Sequence, residues 1–436
     1  MTISGCRATM GGLSPVQGCP VQAIREVLRR TLVARFSEVI EVAHSSPSSS
    51  HGSSHGTSFG DPVPVDHVDQ KRSLSDTPLK KFFKAAIQFE SSDVIMRAGQ
   101  VPKLRVKGSL KALDHPPIAE TQFERWVEQG LSEAQWQYYG EHGSIDLGID
   151  VETGGKSHRF RVNLFRTRGR SAIAARRVSS DILSFDQLHL PPAIEKVCDV
   201  HQGLVLLCGV TGSGKSTTIA SMLDHVAKQR ACHILTIEDP IEYIFSDEDC
   251  KATINQREVG IDVPDFPYAL RAMVRENPDV VLIGEMRDRE TFEAALQAAE
   301  TGHLVFGTIH ASSASQAFGR IYDLFPQEER EAIRGLLAFQ LQAFVYQKLL
   351  PTIKPEMQRV PAVEILLQSP PVRKFILEGR EDELPEVIKS SREAGMQTFT
   401  DSLVDLVETN YIHPRVAQSA APSAEELKMR LRGITA

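Results

Sequence analysis

Two hydrophobic patterns divide this chain. From about Gly203, short unbroken apolar runs alternate with segments of helical spacing. The runs are Gly203–Cys208 (GLVLLC), His233–Ile237 (HILTI), Val280–Ile283 (VVLI) and His303–Thr308 (HLVFGT). Runs without polar alternation suit strands buried on both faces. Ser216–Lys228, Phe266–Glu276 and Thr291–Thr301 lie between them and read as helices. The alternation predicts a parallel α/β sheet. After Pro326 the pattern turns helical, over Glu328–Leu350 and then from Glu364 to the end. That part predicts a C-terminal helical subdomain.

From Pro78 to about Leu183 the pattern is mixed. A helix-like PLKKFFKAAIQF precedes short alternating segments such as Lys103–Gly108. Arg159–Val178 (RFRVNLFRTRGRSAIAARRV) alternates enough to suggest paired strands around Gly169. This predicts a small α+β domain. Its arginines suit a solvated strand face, nucleic acid or phosphate. No aromatic residues interleave as base-stacking platforms would require, so a subset of phosphate contacts is the favoured reading.

Residues 1–76 differ from the rest. Ser45–Ser58 (SSPSSSHGSSHGTS) has nothing to bury and reads as a flexible linker. Ahead of it, Val21, Ile24, Leu28, Leu32, Phe36 and Val39 recur at helical spacing, with Arg25, Arg29, Arg30 and Arg35 giving a basic side. Such a helix suits a membrane surface, a partner or simple solvation. His44, His51 and His55 have no spacing that specifies a metal site. The predicted organisation is therefore an extension (1–76), a first domain (77–183), a linker (184–202), a parallel-sheet domain (203–365) and a helical subdomain (366–436).

Composition narrows the classes. The chain has 436 residues, a formal net charge of −7, 41% hydrophobic and 24% charged residues. The charge gives no global reason to expect nucleic acid. The 6 cysteines are scattered without a C-x-x-C pair, unlike a disulfide framework or zinc site. No apolar run approaches the roughly 20 residues of a membrane span, so a cytoplasmic protein is expected, with any membrane contact made through partners.

The chemistry concentrates after Gly203. Gly209-Val210-Thr211-Gly212-Ser213-Gly214-Lys215-Ser216 reads G-x-x-x-x-G-K-S, with an apolar run before it and a helical run from Thr217 after it. That is the strand–loop–helix setting of a phosphate-binding P-loop. Its glycines let successive N–H groups point at phosphates, and the helix N-terminus favours an anion. Lys215 is expected on the β- and γ-phosphates, and Ser216 on Mg²⁺. Asp279–Glu285 (DVVLIGE) resembles a Walker B strand with Gly284 in the usual aspartate position and a carboxylate one residue on, at Glu285. Glu285 suits Mg²⁺, through water, or activation of the attacking water. Glu238, Asp239 and Glu242 cluster at the end of another strand, where ligands of open parallel sheets bind. Like charges so close are best explained by a nearby cation or by general-base work. His303 and His310 bracket one strand and are placed too far apart to share a metal; His310, past the strand's C-terminal end, is a γ-phosphate sensor candidate.

GVTGSGKSTT, TIEDPIEY, INQREVG, LRAMVRENPDVVLIGEMRD and AAETGHLVFGTIHA occur in this order. The chain thereby resembles the secretion ATPase superfamily of type II secretion and type IV pili, from roughly Thr77 to Ile412. The blocks match its Walker A, Asp-box, Walker B and His-box motifs. Within the superfamily the resemblance is greatest to pilus-retraction motors: no cysteine follows Cys250, where assembly and secretion relatives carry a zinc element, and AGMQTFTDSLVDLV resembles the retraction motors' C-terminal helix. PPVRKFILEGRE matches their essential C-terminal segment only loosely.

The resemblance implies a PAS-like domain joined to a RecA-like P-loop domain in a ring-shaped homohexamer that uses ATP and Mg²⁺. It implies nucleotide binding at Gly209, Thr211, Gly212, Ser213, Gly214, Lys215, Ser216 and Thr217, with Glu238, Asp239, His303 and Arg275 beside them. Glu242 matches the general base, Glu285 the Walker B carboxylate, and His303 and His310 the His box. Arg161 and Arg176 match first-domain arginines that approach the phosphates. The implied function is ATP-driven pilus retraction against an inner-membrane platform protein. The rivals are an assembly or secretion ATPase, an accessory paralogue of the retraction motor, a non-hydrolysing regulatory subunit, and a nucleic-acid translocase.

Overall fold

A computed structural model describes residues 72–433 apart from 247 and 249. The expected amphipathic helix, the Ser/Gly/His tract and the three N-terminal histidines lie outside the described residues.

The first sheet forms where the sequence alternates. In chain order its domain holds α1 (Lys80–Gln88), β1 (Asp93–Arg97), β2 (Lys103–Val106), β3 (Ser109–Ala112), α2 (Glu120–Gln129), α3 (Glu133–His142), β4 (Ser144–Thr153), β5 (Lys156–Thr167) and β6 (Arg170–Arg177). The strands pair antiparallel in the order β3-β2-β1-β6-β5-β4. Two-residue turns join β4 to β5 and β5 to β6. Their central residues all have positive φ: Gly154 and Gly155 at 61° and 76°, Arg168 and Gly169 at 51° and 74°. That geometry matches the right-handed strand twist.

One face of this sheet is buried. Val94, Met96, Ile149, Val151, Phe160, Val162, Leu164 and Ile173 pack with Phe82, Phe83, Phe123 and Trp126. Each such side chain contributes about 1.5–3 kcal/mol by leaving water. The other face carries Asp93, Asp146, Arg161, Asn163 and Arg176. Leu74, which the sequence assigns to the extension, is fully buried in this core, and a Cβ on Gly130 would meet its Cα at 2.9 Å. The folded domain therefore begins before residue 77.

A connecting segment then runs past the second domain, through α4 (Ala193–Cys198). Ser179 bridges to Tyr243, and the Phe185 ring lies 5.3 Å from that of His225.

The second domain alternates strand and helix: β7 (Gly203–Cys208), α5 (Lys215–Gln229), β8 (His233–Glu238), β9 (Thr253–Glu258), α6 (Phe266–Met273), β10 (Val280–Ile283), α7 (Arg289–Glu300), β11 (Leu304–Ile309), α8 (Ala314–Asp323), α9 (Arg330–Gln340), β12 (Leu341–Pro351) and β13 (Arg359–Leu367). The order is β13-β12-β7-β11-β10-β8-β9, and only β12 and β13 pair antiparallel. Both faces are buried. Leu204, Leu206 and Cys208 of β7 enter one core, Val205 and Leu207 the other.

The expected helix over Glu328–Leu350 is half wrong: α9 ends at Gln340 and β12 follows directly. β13 likewise occupies the start of the region expected to be helical from Glu364. No glycine or proline separates α9 from β12. The apolar positions across the junction suit either element, and packing against β7 decides for a strand. Beyond β13 the chain is helical, with α10 (Pro370–Glu378), α11 (Leu384–Ser390), α12 (Phe399–Glu408), α13 (Pro414–Ala420) and α14 (Ala424–Arg430).

Candidate nucleotide site

The site sits at the C-terminal ends of the parallel strands. The loop between β7 and α5 turns through Gly209, Gly212 and Gly214, with φ of 152°, 76° and 89°. Gly209 is needed for space as well: a Cβ there would run into the carbonyl oxygen of Gln347 on β12. The buried Lys215 bends back so that its Nζ donates to the Gly209 carbonyl oxygen at 2.8 Å. Burial pulls its pKa down, partly opposed by Glu285 and Glu242. Ser213 Oγ is buried without a hydrogen-bond partner. An orphaned hydroxyl beside a glycine-lined loop fits a phosphate ligand.

Facing the loop are the ends of β8, β10 and β11. A cavity of about 290 Å³ is bounded by Thr211, Gly212, Lys215 and Ser216 on one side and by Glu238, Asp239, Glu242, Glu285 and His310 on the other. Glu285 follows β10. Its Oε1 lies 2.9 Å from His310 Nε2, and Arg287 donates to its Oε2. The Arg287 hydrogen bond is the main cause that holds the Glu285 carboxyl below its ordinary range, helped by His310 and Lys215. Glu238 is different. It is buried, takes hydrogen bonds from Thr236 Oγ1 at 2.7 Å and Gln256 Nε2 at 3.2 Å, and burial pushes its pKa up to about 7. Two acids in one cavity thus differ in protonation near neutrality, an arrangement suited to acid–base work. Glu242 stands exposed at the rim. The oxygens of Ser216, Glu242 and Glu285 are the hard donors a magnesium ion prefers.

The remaining expected residues are placed elsewhere. The Thr217 hydroxyl pairs with Tyr243 Oη at 2.7 Å. Gly209 and Gly214 back onto β12. His303 lies at the opposite end of β11 from His310, its Nδ1 2.9 Å from the Ala298 carbonyl oxygen, so within one chain it does not reach the cavity. Arg275 is exposed just past α6 and does not line the cavity either. Arg161 and Arg176 pair across β5 and β6 on the open face of the first sheet. There they line a separate groove of about 500 Å³ with Asp93, Arg105, Asp146 and Asn163. Arg176 Nε donates to Asp93 at 2.9 Å. Farther along that face, Arg159 reaches Glu258 of the second domain at 3.5 Å.

Sequence reasoning missed Tyr243, Arg287, Thr308 and Gln347. Thr308 Oγ1 ties β11 to the Gly284 carbonyl oxygen at 2.7 Å. Its place near the end of an apolar run was a usable signal. Gln347 sits in the strand misread as helix.

The chain matches the family of type II/IV secretion system proteins over residues 79–420. It is 38% identical to the "Type IV pilus retractation ATPase PilT" of Pseudomonas aeruginosa, covering 77% of this chain and 95% of that protein. It is 35% identical to the "Type IV pilus ATPase PilU" of the same organism, over 81% of this chain and 91% of that one. Among solved structures it superposes on a crystal structure of the pilus retraction motor PilT with bound ADP. The TM-score is 0.73 and the identity 40%, over 81% of this chain and 98% of that one.

Proposed function

This chain belongs to the type II/IV secretion system protein family, and from that premise we propose that it is a ring-forming ATPase motor that drives retraction of a type IV pilus. What supports the reading is the convergence of Lys215, Ser216, Glu242, Glu285 and His310 on one cavity at the strand ends. The similarity to PilT over nearly its whole length points the same way.

In this reading residues 72–183 form the PAS-like half and 203–365 the RecA-like half, followed by the helical subdomain, in a homohexamer. The P-loop amides and Ser213 Oγ bind the phosphates. Lys215 leaves the Gly209 carbonyl for the β- and γ-oxygens. Ser216 and Glu285 would hold Mg²⁺, which supplies neutralising charge on the phosphates. Glu242, at the open rim, accepts the proton of the attacking water. His310, on Glu285, reports whether the γ-phosphate is present. Arg161 and Arg176 stand on the face that bears the Arg159–Glu258 contact, and closure of the first domain over nucleotide, from this subunit or a neighbour, brings them to the transferred phosphoryl group. The motion is passed round the ring to an inner-membrane platform protein.

Among the described residues no helix is long and apolar enough to cross a membrane. A membrane role therefore rests on partners in this reading, at the cytoplasmic side. Similarity to PilU supports a second reading, an accessory motor beside a primary one.

Expression in a strain that lacks its own retraction motor separates the readings. Restored twitching with ATP turnover by the purified chain is the expected result. Turnover without restored twitching would favour the accessory role, and no turnover would overturn the motor.

A further inference from the structure

Gln347 lies in β12, beside the P-loop strand, and is 2% exposed. A primary amide so deeply buried needs partners at both its nitrogen and its oxygen end. It does so on the two parts of the P-loop. Its Nε2 donates to the Ser213 carbonyl oxygen at 2.9 Å, and its Oε1 accepts from Thr218 Oγ1 at 2.8 Å. Thr218 is in the first turn of α5, so one side chain spans the junction of loop and helix. The Ser213 carbonyl fixes which way round the amide sits: it can only accept, so it takes the nitrogen end, and the Thr218 hydroxyl then donates to the oxygen end.

The Ser213 bond has a directional consequence. In a trans peptide the C=O and the following N–H point in opposite directions. Holding the Ser213 oxygen against β12 therefore turns the Gly214 N–H away from β12, toward the inside of the loop. A P-loop works through N–H groups aimed at phosphate, and each aimed N–H leaves a carbonyl on the outer side that needs a donor. For this peptide Gln347 is that donor. The fit is close: a Cβ on Gly214 would lie 2.7 Å from Gln347 Nε2.

We propose that Gln347 is a positioning residue of the nucleotide site, which presets the Ser213–Gly214 peptide for phosphate and makes no contact with the nucleotide itself. The proposal rests on the ATPase reading. It implies that the amide, and not merely the volume, is required. A carboxylate in its place would set an acceptor against the Ser213 oxygen, and an apolar isostere would leave that oxygen unpaired.

The test compares Gln347→Glu and Gln347→Met with the full-length chain. Titration with ADP and Mg²⁺, steady-state turnover of ATP, and thermal melting without nucleotide are measured for each. The expected result is that both variants melt cooperatively, and that Gln347→Glu weakens ADP binding and raises KM by about tenfold or more, the cost of an unpaired buried polar group. Gln347→Met should show the same loss in milder form. kcat at saturation should fall far less than the affinity, because a nucleotide that does bind restores the peptide. Folded variants with unchanged ADP affinity would overturn the proposal. So would failure of both to fold, which assigns Gln347 to the apo core. Absence of turnover and ADP binding in the unaltered chain would instead remove the ATPase reading.

Discussion

On the first sheet one face is buried and the other is wet, so charged residues stand along the strands: Asp93, Asp146, Arg161, Arg176. On the second sheet both faces are buried, and reactive side chains are displaced to the strand ends, where Lys215, Glu238, Glu285 and His310 meet. The parallel sheet assembles its site within one chain. The antiparallel sheet offers Arg161 and Arg176, the second held by Asp93, on a different groove. One region is thus a finished cavity within one chain, and in the proposed mechanism the other takes part only by approaching a nucleotide.

Lys215→Ala tests the finished half. It removes the cation that neutralises phosphate charge, and ATP turnover should fall to background. Ordinary kcat in a phosphate-release assay would show that the cavity at the strand ends is not the site of chemistry.

Arg161→Ala and Arg176→Ala test the half that has to move. If the open face closes over the transferred phosphoryl group, each should lower kcat by about 10³-fold while nucleotide still binds. If these are only surface arginines, each is worth less than about 1 kcal/mol. kcat within a few-fold of normal in both would leave the wet face without a part in hydrolysis.

The same contrast explains what could be read in advance. Gly203–Cys208 and Val280–Ile283 announce themselves because strands buried on both faces need unbroken apolar residues. The P-loop is legible because its glycines answer to local backbone geometry. β12 is not legible: Leu341 and Ala343–Val345 suit a helix as well as a strand, and only the neighbouring β7 decides. Gln347 was lost with it, since its role depends on a loop 134 residues away. The resemblance groups His303 with His310, but their places at the two ends of one run already set His310 apart. A strand separates them by its full length, and only one end of a parallel sheet carries the cavity.

Within the finished half, Glu285→Gln and Glu242→Gln sharpen the division of labour. Each keeps shape and loses proton affinity, and the one that serves as base should slow hydrolysis by about 10²-fold with ATP binding retained. Single-turnover measurements read this directly. Near-normal rates in both would exclude the two carboxylates from the chemical step.

The smallest effect concerns Glu238. Burial raises its pKa to about 7 from an ordinary 4.5. Between those values the folded chain keeps a proton that the unfolded chain has released. Stability from this group therefore falls as pH rises from about 4.5 to about 7, and levels off above. Glu238→Gln should flatten that slope in melting temperatures taken without nucleotide. Coincident slopes would mean the carboxyl titrates normally.

Helix α5 carries a mechanical consequence. It begins in the P-loop at Lys215, and its side passes under the connecting segment, where Ser221 donates to the Leu183 carbonyl oxygen and His225 meets Phe185. At 1.5 Å per residue, His225 stands about 15 Å along the axis from Lys215. A helix this short is a stiff rod, so any tilt at the phosphate end is carried to the segment that lies on its side. In the proposed motor α5 would be the lever that joins the phosphate loop to the strip of chain leading from the first domain.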